Sequence, residues 1–287
     1  MPVSSEGPTV RLRRLGMELR ALREAAGLNS QQAAEELGCS QSKISRVETG
    51  KSPVSVRDVR DLLALYGVTD EQQRERLLSL ARESRQRGWW AEFGSWLPSG
   101  FDTYAGMEAA AASVRAYQAQ LVHGLLQTED YARDVLRALR PEDTREAVEK
   151  LVQFRMARQT QLTRAENPLR LWVIFEEEVL RRPVGGLAVM QAQLQHLLEA
   201  AEEPTITIQV LPTTRGAHAG LDGSFSLFEF PEPGDLDVAY VGGQAGTVFV
   251  EKSDEVRRFA TRFDHLRAAA LDMGESTDLI TRIAHDM

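Results

Sequence analysis

The stretch from Gly27 to Gly50, GLNSQQAAEELGCSQSKISRVETG, constrains the fold more than any other part of the sequence. Asn29, with Gln32 three positions later, is a capping-box pattern for one short helix. Gly38 stands where a chain leaves a helix with a positive φ, which glycine adopts at little cost. Ser40 is a good N-cap for a second helix. Two helices of about two turns each, joined by roughly three residues, predict a helix-turn-helix motif.

The apolar spacing of the second helix predicts which of its side chains point outward. Ile44 and Val47 form the inward face, so the polar side chains of the N-terminal half lie opposite. Gln bonds adenine and Arg bonds guanine bidentately, whereas Ser pairs with little selectivity. This half of the helix enters the major groove in helix-turn-helix proteins. The predicted base contacts are Gln41, Ser42, Ser45 and Arg46, and the predicted phosphate contacts are Ser30, Lys43, Thr49 and Lys51.

A helical hairpin with a merely solvated polar face is the alternative, and composition alone favours it. However, the cap, the turn glycine, the apolar spacing and the base-reading side chains all occur in one register. Their combination favours DNA binding.

Further helical patterns surround the motif and complete a bundle of five helices. They cover 12–26 before it, and 55–66 and 70–87 after it. The segment 12–68, with Leu19, Leu22 and Arg23 and the pattern SxxISRxExGKxxP at 42–53, resembles the phage-repressor and xenobiotic-response-element class of regulators. That resemblance implies a lambda-repressor-like, all-α DNA-binding domain, which we place at 12–87 behind a loose arm at 1–11.

Length and composition indicate two folded domains in the cytoplasm, nucleoid-associated when DNA is bound. The chain has 287 residues and is 43% hydrophobic. No run approaches the roughly 20 apolar residues that cross a bilayer, and the N-terminus lacks a signal-peptide core. The single cysteine, Cys39, suits a reducing compartment, and we expect it to be a small, half-buried residue of the turn.

The charge is distributed unevenly. The net charge of −8 is unusual for a DNA-binding protein. Residues 1–90 hold 15 Lys/Arg and 12 Asp/Glu, a net +3, whereas 91–287 hold 19 and 30, a net −11. Because the head is only weakly basic, we expect a sequence-reading dimer rather than a non-specific coating protein.

A tryptophan-rich junction is predicted at 88–100. It contains Trp89, Trp90 and Trp96, three of the four tryptophans of the chain. An aromatic clasp that fixes the head to the body is one interpretation, and a surface for stacking a ligand or contacting a partner is the other.

The body, 101–287, is predicted to be an acidic α/β (α+β) domain with a mainly antiparallel sheet of about five strands. Alternating apolar residues predict strands at 169–175, 205–211, 224–230, 237–241 and 247–251. Helical patterns cover 103–120, 128–139, 141–165, 185–201 and 253–271, the last capped by Ser253.

Two segments of the body resemble the C-terminal domain of actinobacterial WhiJ-like, antitoxin-like regulators. They are LVHGLLQTEDYAR at 121–133 and GAHAGLDGSFSLFEFP at 216–231. The resemblance implies a small partner protein encoded nearby. His123 replaces the usual proline of that family, so we expect a less rigid backbone there.

Catalytic and metal patterns are weak. His218 lies near Asp222 in a glycine-rich loop, which is either a site for a ligand or partner or a hairpin crossing where His218 bonds the backbone. No serine or cysteine nucleophile pattern accompanies it. The consecutive carboxylates 176–178 point in different directions and predict a solvated turn. No His or Cys pair has ligand spacing, so we expect no metal and no cofactor.

Three functions remain open. The first is a sequence-specific transcriptional regulator that binds a double-stranded operator as a homodimer, with a body that binds the partner protein. The second is a ligand-sensing repressor with a metabolite pocket in the body. The third, an enzyme fused to a DNA-binding head, has no catalytic constellation behind it, and we expect no enzymatic activity.

Overall fold

The computed structural model describes residues 8–50, 52–84, 88–231, 237–243 and 246–287. The chain forms two compact units. The first contains Met1–Glu92 with Thr103–Ala110, and the second contains Phe93–Asp102 with Ala111–Met287.

The first unit contains the predicted five-helix bundle. Its helices are α1 (Pro8–Ala25), α2 (Ser30–Glu36), α3 (Gln41–Glu48), α4 (Val56–Leu65) and α5 (Glu71–Glu83). The predicted capping box at Asn29 is present, and Ser40 and Ser55 cap the next two helices. The predicted loose arm is wrong for 8–11, which are helical with Arg11 buried. The predicted end of the fifth helix at 85–87 lies outside the described residues.

One apolar core joins these helices. It includes Leu15 and Leu19 of α1, Ile44 and Val47 of α3, and Leu63 of α4, all at most 3% exposed. Cys39 is half-buried against the same core, as predicted for a small residue of the turn. The core therefore holds α3 by its inward face and leaves the opposite face to solvent.

The second unit is built on one mixed sheet of six described strands. They are β1 (Ser113–Gln118), β2 (Arg170–Glu176), β3 (Ile206–Leu211), β4 (Phe225–Glu229), β5 (Val238–Gly243) and β6 (Gly246–Val250). Their order is β3-β2-β1-β4-β5-β6. The pairs β1–β2 and β2–β3 are parallel, and the other three pairs are antiparallel. The five predicted strands are confirmed, and the sheet is mainly antiparallel as expected.

The helix predicted at 103–120 is wrong in its second half, which forms strand β1. Only α6 (Phe101–Ala110) is helical there, and the chain then enters β1. The alanine-rich sequence favours a helix locally. However, β1 lies in the middle of the sheet and pairs on both sides, and this tertiary pairing outweighs the local preference.

Helices complete the second unit. They are α7 (Glu129–Leu139), α8 (Arg145–Thr163), α9 (Glu177–Arg181), α10 (Leu187–Ala200), α11 (Ser253–Ala269) and α12 (Met273–Asp286). Thr128 caps α7 as predicted, but α8 begins at Arg145, capped by Thr144, four residues after the predicted start near Pro141. Lys252 rather than Ser253 occupies the N-cap position of α11. The separate helix α12, with a capping box at Asp272, was not predicted.

Helix α11 covers one face of the sheet. Its Phe263 and Leu266 are buried with Tyr117, Ile174 and Leu227 from three neighbouring strands. Because side chains alternate along a strand, residues at every second position share this face. The cover is apolar over the carboxyl-terminal half of β1 and β2.

Candidate nucleic-acid interface

Helix α3 has the start and the orientation that its neighbouring residues predict. The Ser40 hydroxyl accepts the backbone N–H of Lys43 at 3.2 Å and caps the helix. Gly38 has a φ of +61° and makes the turn from α2. Ile44 and Val47 are each 3% exposed, which fixes the rotation of the helix about its axis.

The four side chains predicted to contact bases are all exposed on the other side of α3. Two of them have defined neighbours. The Gln41 amide donates to the Ser30 hydroxyl at 3.0 Å, and Arg46 Nη1 donates to the Ser42 hydroxyl at 2.6 Å. Gln41 keeps its carbonyl oxygen and Arg46 keeps most of its donors for other partners. Neighbouring hydroxyls therefore orient the longest two side chains while their hydrogen-bonding ends stay in solvent.

The predicted phosphate contacts differ in how far their groups are already engaged. The Ser30 hydroxyl accepts from Gln41 and still has its own O–H to donate. The Thr49 hydroxyl donates to the Ser45 carbonyl at 2.8 Å, so it must rotate to reach a phosphate. Lys51 lies outside the described residues.

Lys43 is paired with Asp58 of α4, a contact that no pattern in the sequence indicates. The ammonium lies 3.2 Å from the carboxylate, and both side chains are more than a third exposed. Burial alone would raise the pKa of Asp58, but the hydrogen bonds from Lys43 and Ser55 outweigh it and lower that pKa. Asp58 is therefore charged at neutral pH. An exposed pair of this kind contributes about 0–1 kcal/mol, so a phosphate can replace the carboxylate.

A buried ion pair anchors α3 to α1. Arg23 and Glu48 are each 8% exposed and form two hydrogen bonds, at 2.7 and 2.9 Å. Arg23 also donates to the Leu28 carbonyl at 2.7 Å, just before α2. Burial and the neighbouring Glu48 raise the pKa of Tyr66 to about 12. The sequence pattern contained Arg23 and Glu48, but their 25-residue separation hid the contact.

Two glycines allow α1 to lie against the end of α3. A Cβ at Gly16 would stand 2.5 Å from the Val47 carbonyl oxygen and 2.7 Å from that of Glu48. Gly50 has a φ of +65°, and a Cβ there would meet the Arg13 backbone at 2.8 Å. The bundle therefore holds the recognition helix by close backbone contact as well as by the ion pair.

The tryptophans of the predicted junction fall into different units. Trp89 and Trp90 belong to the first unit and pack edge to face, with ring centroids 5.9 Å apart. Trp96 belongs to the second unit, where it packs with Leu97 against a cluster from α7 and α8. These contacts are internal to each unit, and the roles as clasp or ligand surface stay predictions.

His218 lies in a cluster with Glu176 and Tyr117. Its Nδ1 accepts the Gly220 N–H at 3.2 Å, and its Nε2 lies 3.0 Å from Glu176 Oε1. Burial and a hydrogen bond to Glu176 raise the pKa of Tyr117, so its hydroxyl is protonated and donates to the same carboxylate. His218 does bond the backbone, as one alternative required.

The predicted solvated turn at 176–178 is wrong. Glu176 ends β2 and accepts from Tyr117, and Glu177 begins α9 at 8% exposure. The Glu177 carboxylate accepts the Thr213 N–H at 3.0 Å and pairs with Arg181. Glu176 through His218, and Glu177 through Thr213, therefore hold the loop after β3 to the carboxyl-terminal end of β2.

Two family models match the chain, and they match separate parts of it. Residues 101–282, well over half of the chain, match the family model described as a domain of unknown function, DUF5753. The chain belongs to the DUF5753 family. Residues 14–77 match a helix-turn-helix domain. Comparison with curated proteins and with solved structures found no match.

The helix-turn-helix match supports a DNA-binding regulator of the xenobiotic-response-element type. It spans most of α1, all of α2 to α4 and the first half of α5, including all the described residues predicted to contact DNA. The DUF5753 description carries no function, so the resemblance of this region to WhiJ-like regulators stays a prediction.

Neither a membrane-spanning helix nor a group of metal ligands is found in the described part of this DUF5753 protein. No described helix is long and apolar enough to cross a membrane. The described His, Cys, Asp and Glu side chains form no group of three or more that could hold a metal ion.

Proposed function

We propose that this DUF5753 protein is a sequence-specific transcriptional regulator that reads its operator with α3. The supporting observation is the two-sided character of that helix. Its inward face is anchored by the core and by the Arg23–Glu48 pair, and its outward face carries exposed base-reading groups. Gln41, Ser42, Ser45 and Arg46 contact bases in this proposal, and Ser30, Lys43, Thr49 and Lys51 contact phosphates.

The proposal includes a homodimer, because one head reads only a half-site. Two heads would bind half-sites about 34 Å apart, one turn of DNA. The acidic second unit supports dimerisation and binds a small partner protein encoded nearby, in an antitoxin-like role in the cytoplasm. The net charge of −11 over 91–287 supports this separation, because it makes that region a poor surface for DNA.

Arg46→Ala tests the register of α3. We expect it to lose discrimination at one or two base pairs per half-site, about 1–3 kcal/mol each, because a bidentate contact to guanine is removed. The measurement is an unbiased selection of bound DNA by the full-length protein at two salt concentrations. Retention of wild-type sequence preference by Arg46→Ala would show that the register is wrong.

Two further variants distinguish a phosphate contact from a general effect of charge. Lys51→Ala should weaken binding to all sequences and flatten the salt dependence, as expected for a phosphate contact. Arg137→Ala removes the same charge from an exposed position of α7 in the second unit and should leave both properties unchanged.

A ligand-sensing repressor, suggested by the tryptophan cluster and the His218 loop, is the second candidate function. Of these residues, Trp96 and His218 have internal contacts in the second unit. A different feature, a polar pocket on the sheet of the second unit, favours it.

A further inference from the structure

The face of the sheet that α11 covers becomes polar at the amino-terminal ends of the parallel strands. Arg115 of β1 lies beside Trp172 of β2, and Trp172 lies beside Thr207 of β3. Two positions earlier, Ser113 of β1 lies beside Arg170 of β2. The carboxyl-terminal half of the same face is packed under α11. One face of one sheet therefore has a closed apolar half and a polar half.

A pocket of about 360 Å³ opens on the polar half. Side chains that line it include Ser113, Arg115, Arg170, Trp172, Thr205 and Thr207. Its volume is within the range of small-molecule sites, roughly 300–1,000 Å³. All these residues belong to the second unit, so the pocket is complete within it.

The carboxylate at the edge of the pocket is already occupied. Glu229 Oε1 accepts from Arg115 Nη2 at 2.7 Å, and Oε2 accepts from the Ser113 hydroxyl. On α11, Asp264 lies 3.6 Å from Arg267 and 4.0 Å from Arg115. Glu229 and Asp264 therefore each have a cationic partner.

The groups left over are hydrogen-bond donors. Within the described residues, the guanidinium of Arg170 and the hydroxyls of Thr205 and Thr207 have no hydrogen-bond or ion-pair partner. Arg170 is exposed, and the two threonines are half-buried. A planar guanidinium with two nearby hydroxyls matches a carboxylate, which accepts several hydrogen bonds.

Trp172 supplies an aromatic surface beside these donors. Its indole N–H donates to Gln209 at 2.9 Å, which holds the ring in place. Arg267 lies over the ring at 5.3 Å, and Phe263 contacts it edge to face at 6.1 Å. The ring is only partly buried and lines the pocket, so it offers an apolar contact to a flat ligand.

We infer that this pocket binds a small aromatic carboxylic acid. The carboxylate is held by Arg170, Thr205 and Thr207, and the ring contacts Trp172. The inference goes beyond the proposed reading of DNA and does not depend on it, because binding is measured on the full chain without DNA.

The probe is 3-phenylpropionate, titrated against the full-length protein labelled with ¹⁵N. The indole N–H signal of Trp172, assigned by its loss in Trp172→Phe, reports the site. We expect a saturable shift of this one tryptophan signal among the four in the chain. The dissociation constant should be on the order of 1 mM for a ligand this small.

Matched ligands and variants identify the contacts. Propionate lacks the ring and 3-phenylpropionamide lacks the charge, and both should bind about tenfold more weakly or worse. Arg170→Gln should weaken 3-phenylpropionate binding by about tenfold, whereas Arg137→Gln, with the same charge loss on α7, should not. Unchanged positions of the other indole signals would show that the variants are folded.

Either of two results would overturn the inference. One is the absence of a saturable Trp172 shift with 3-phenylpropionate. The other is equal binding of the acid and its amide, or equal binding by wild type and Arg170→Gln. If the acid binds as expected but does not alter operator affinity, the pocket stands and ligand sensing fails. If operator binding itself is absent, only the proposed reading of DNA fails.

Discussion

His123 illustrates how one side chain can serve where a related family has proline. Its φ of −58° is one that proline also adopts, and its Nδ1 accepts the Leu125 N–H at 3.3 Å. The residue is 3% exposed. Burial, together with the nearby Arg158 and Arg155, lowers the pKa of His123 to about 3. The expected loss of backbone rigidity stays a prediction, but burial of a neutral imidazole has a measurable consequence.

Stability should depend on pH through His123. The unfolded chain takes up a proton near the ordinary pKa of 6.5, whereas the folded chain does not until about pH 3. The free energy of unfolding therefore falls as pH drops below 6.5. Between pH 6.5 and 5, wild type should lose roughly 1–2 kcal/mol more than His123→Pro in urea titrations. His285→Gln, at a side chain 90% exposed, should behave like wild type, and equal pH profiles for His123→Pro and wild type would contradict this.

At the scale of elements, α3 and β1 show the two ways in which prediction succeeds and fails. The bounds of α3 follow from neighbours in sequence, namely Ser40, the glycine turn and two apolar residues. Strand β1 has no such local signals, because alanine favours a helix, and its partners lie more than 50 residues away in β2 and β4. The prediction of α3 was right because local energies decide its bounds, and the helix predicted over β1 was wrong because distant pairing decides that segment.

The contact of α1 with α3 should be intolerant of one methyl group. Gly16→Ala places a Cβ against two backbone oxygens of α3, which cannot move aside as a side chain can. We expect a loss of about 1–3 kcal/mol in the free energy of unfolding, despite the better helix propensity of alanine. Gly274→Ala in α12, where the nearest atom is 3.5 Å away, should be neutral or slightly stabilising. Thermal unfolding of both variants checks this, and equal stability would contradict the close packing.

In the molecule as a whole, the two parts of the chain differ in the sign of their net charge. The first 90 residues carry +3 and the remainder −11. Attraction to phosphate is thus concentrated in the residues that form the helix-turn-helix domain, where Lys43 is one of the cations on the outward face. An acidic remainder limits binding to non-specific DNA.

The salt dependence of operator binding should report the number of heads on the DNA. Each lysine–phosphate contact contributes about 0.9 to the slope of log affinity against log salt concentration. Lys43→Gln should therefore flatten the slope by about 1.8 if two heads bind, and by about 0.9 if one binds. Titrations by fluorescence anisotropy at several salt concentrations provide the slope, with Arg137→Gln as the charge control. A slope unchanged by Lys43→Gln would exclude the proposed phosphate contact.

Local sequence signals were enough to predict the helix-turn-helix, its caps, the exposed face of α3 and five of the strands. These features depend on propensity, capping and periodicity over a few residues. Three other features depend on long-range contacts: the central position of β1, the pairing of Arg23 with Glu48, and the pocket that joins Arg170, Trp172 and the two threonines. Strand order and register bring together groups that lie tens of residues apart in the chain. A local sequence pattern does not indicate which strands become neighbours.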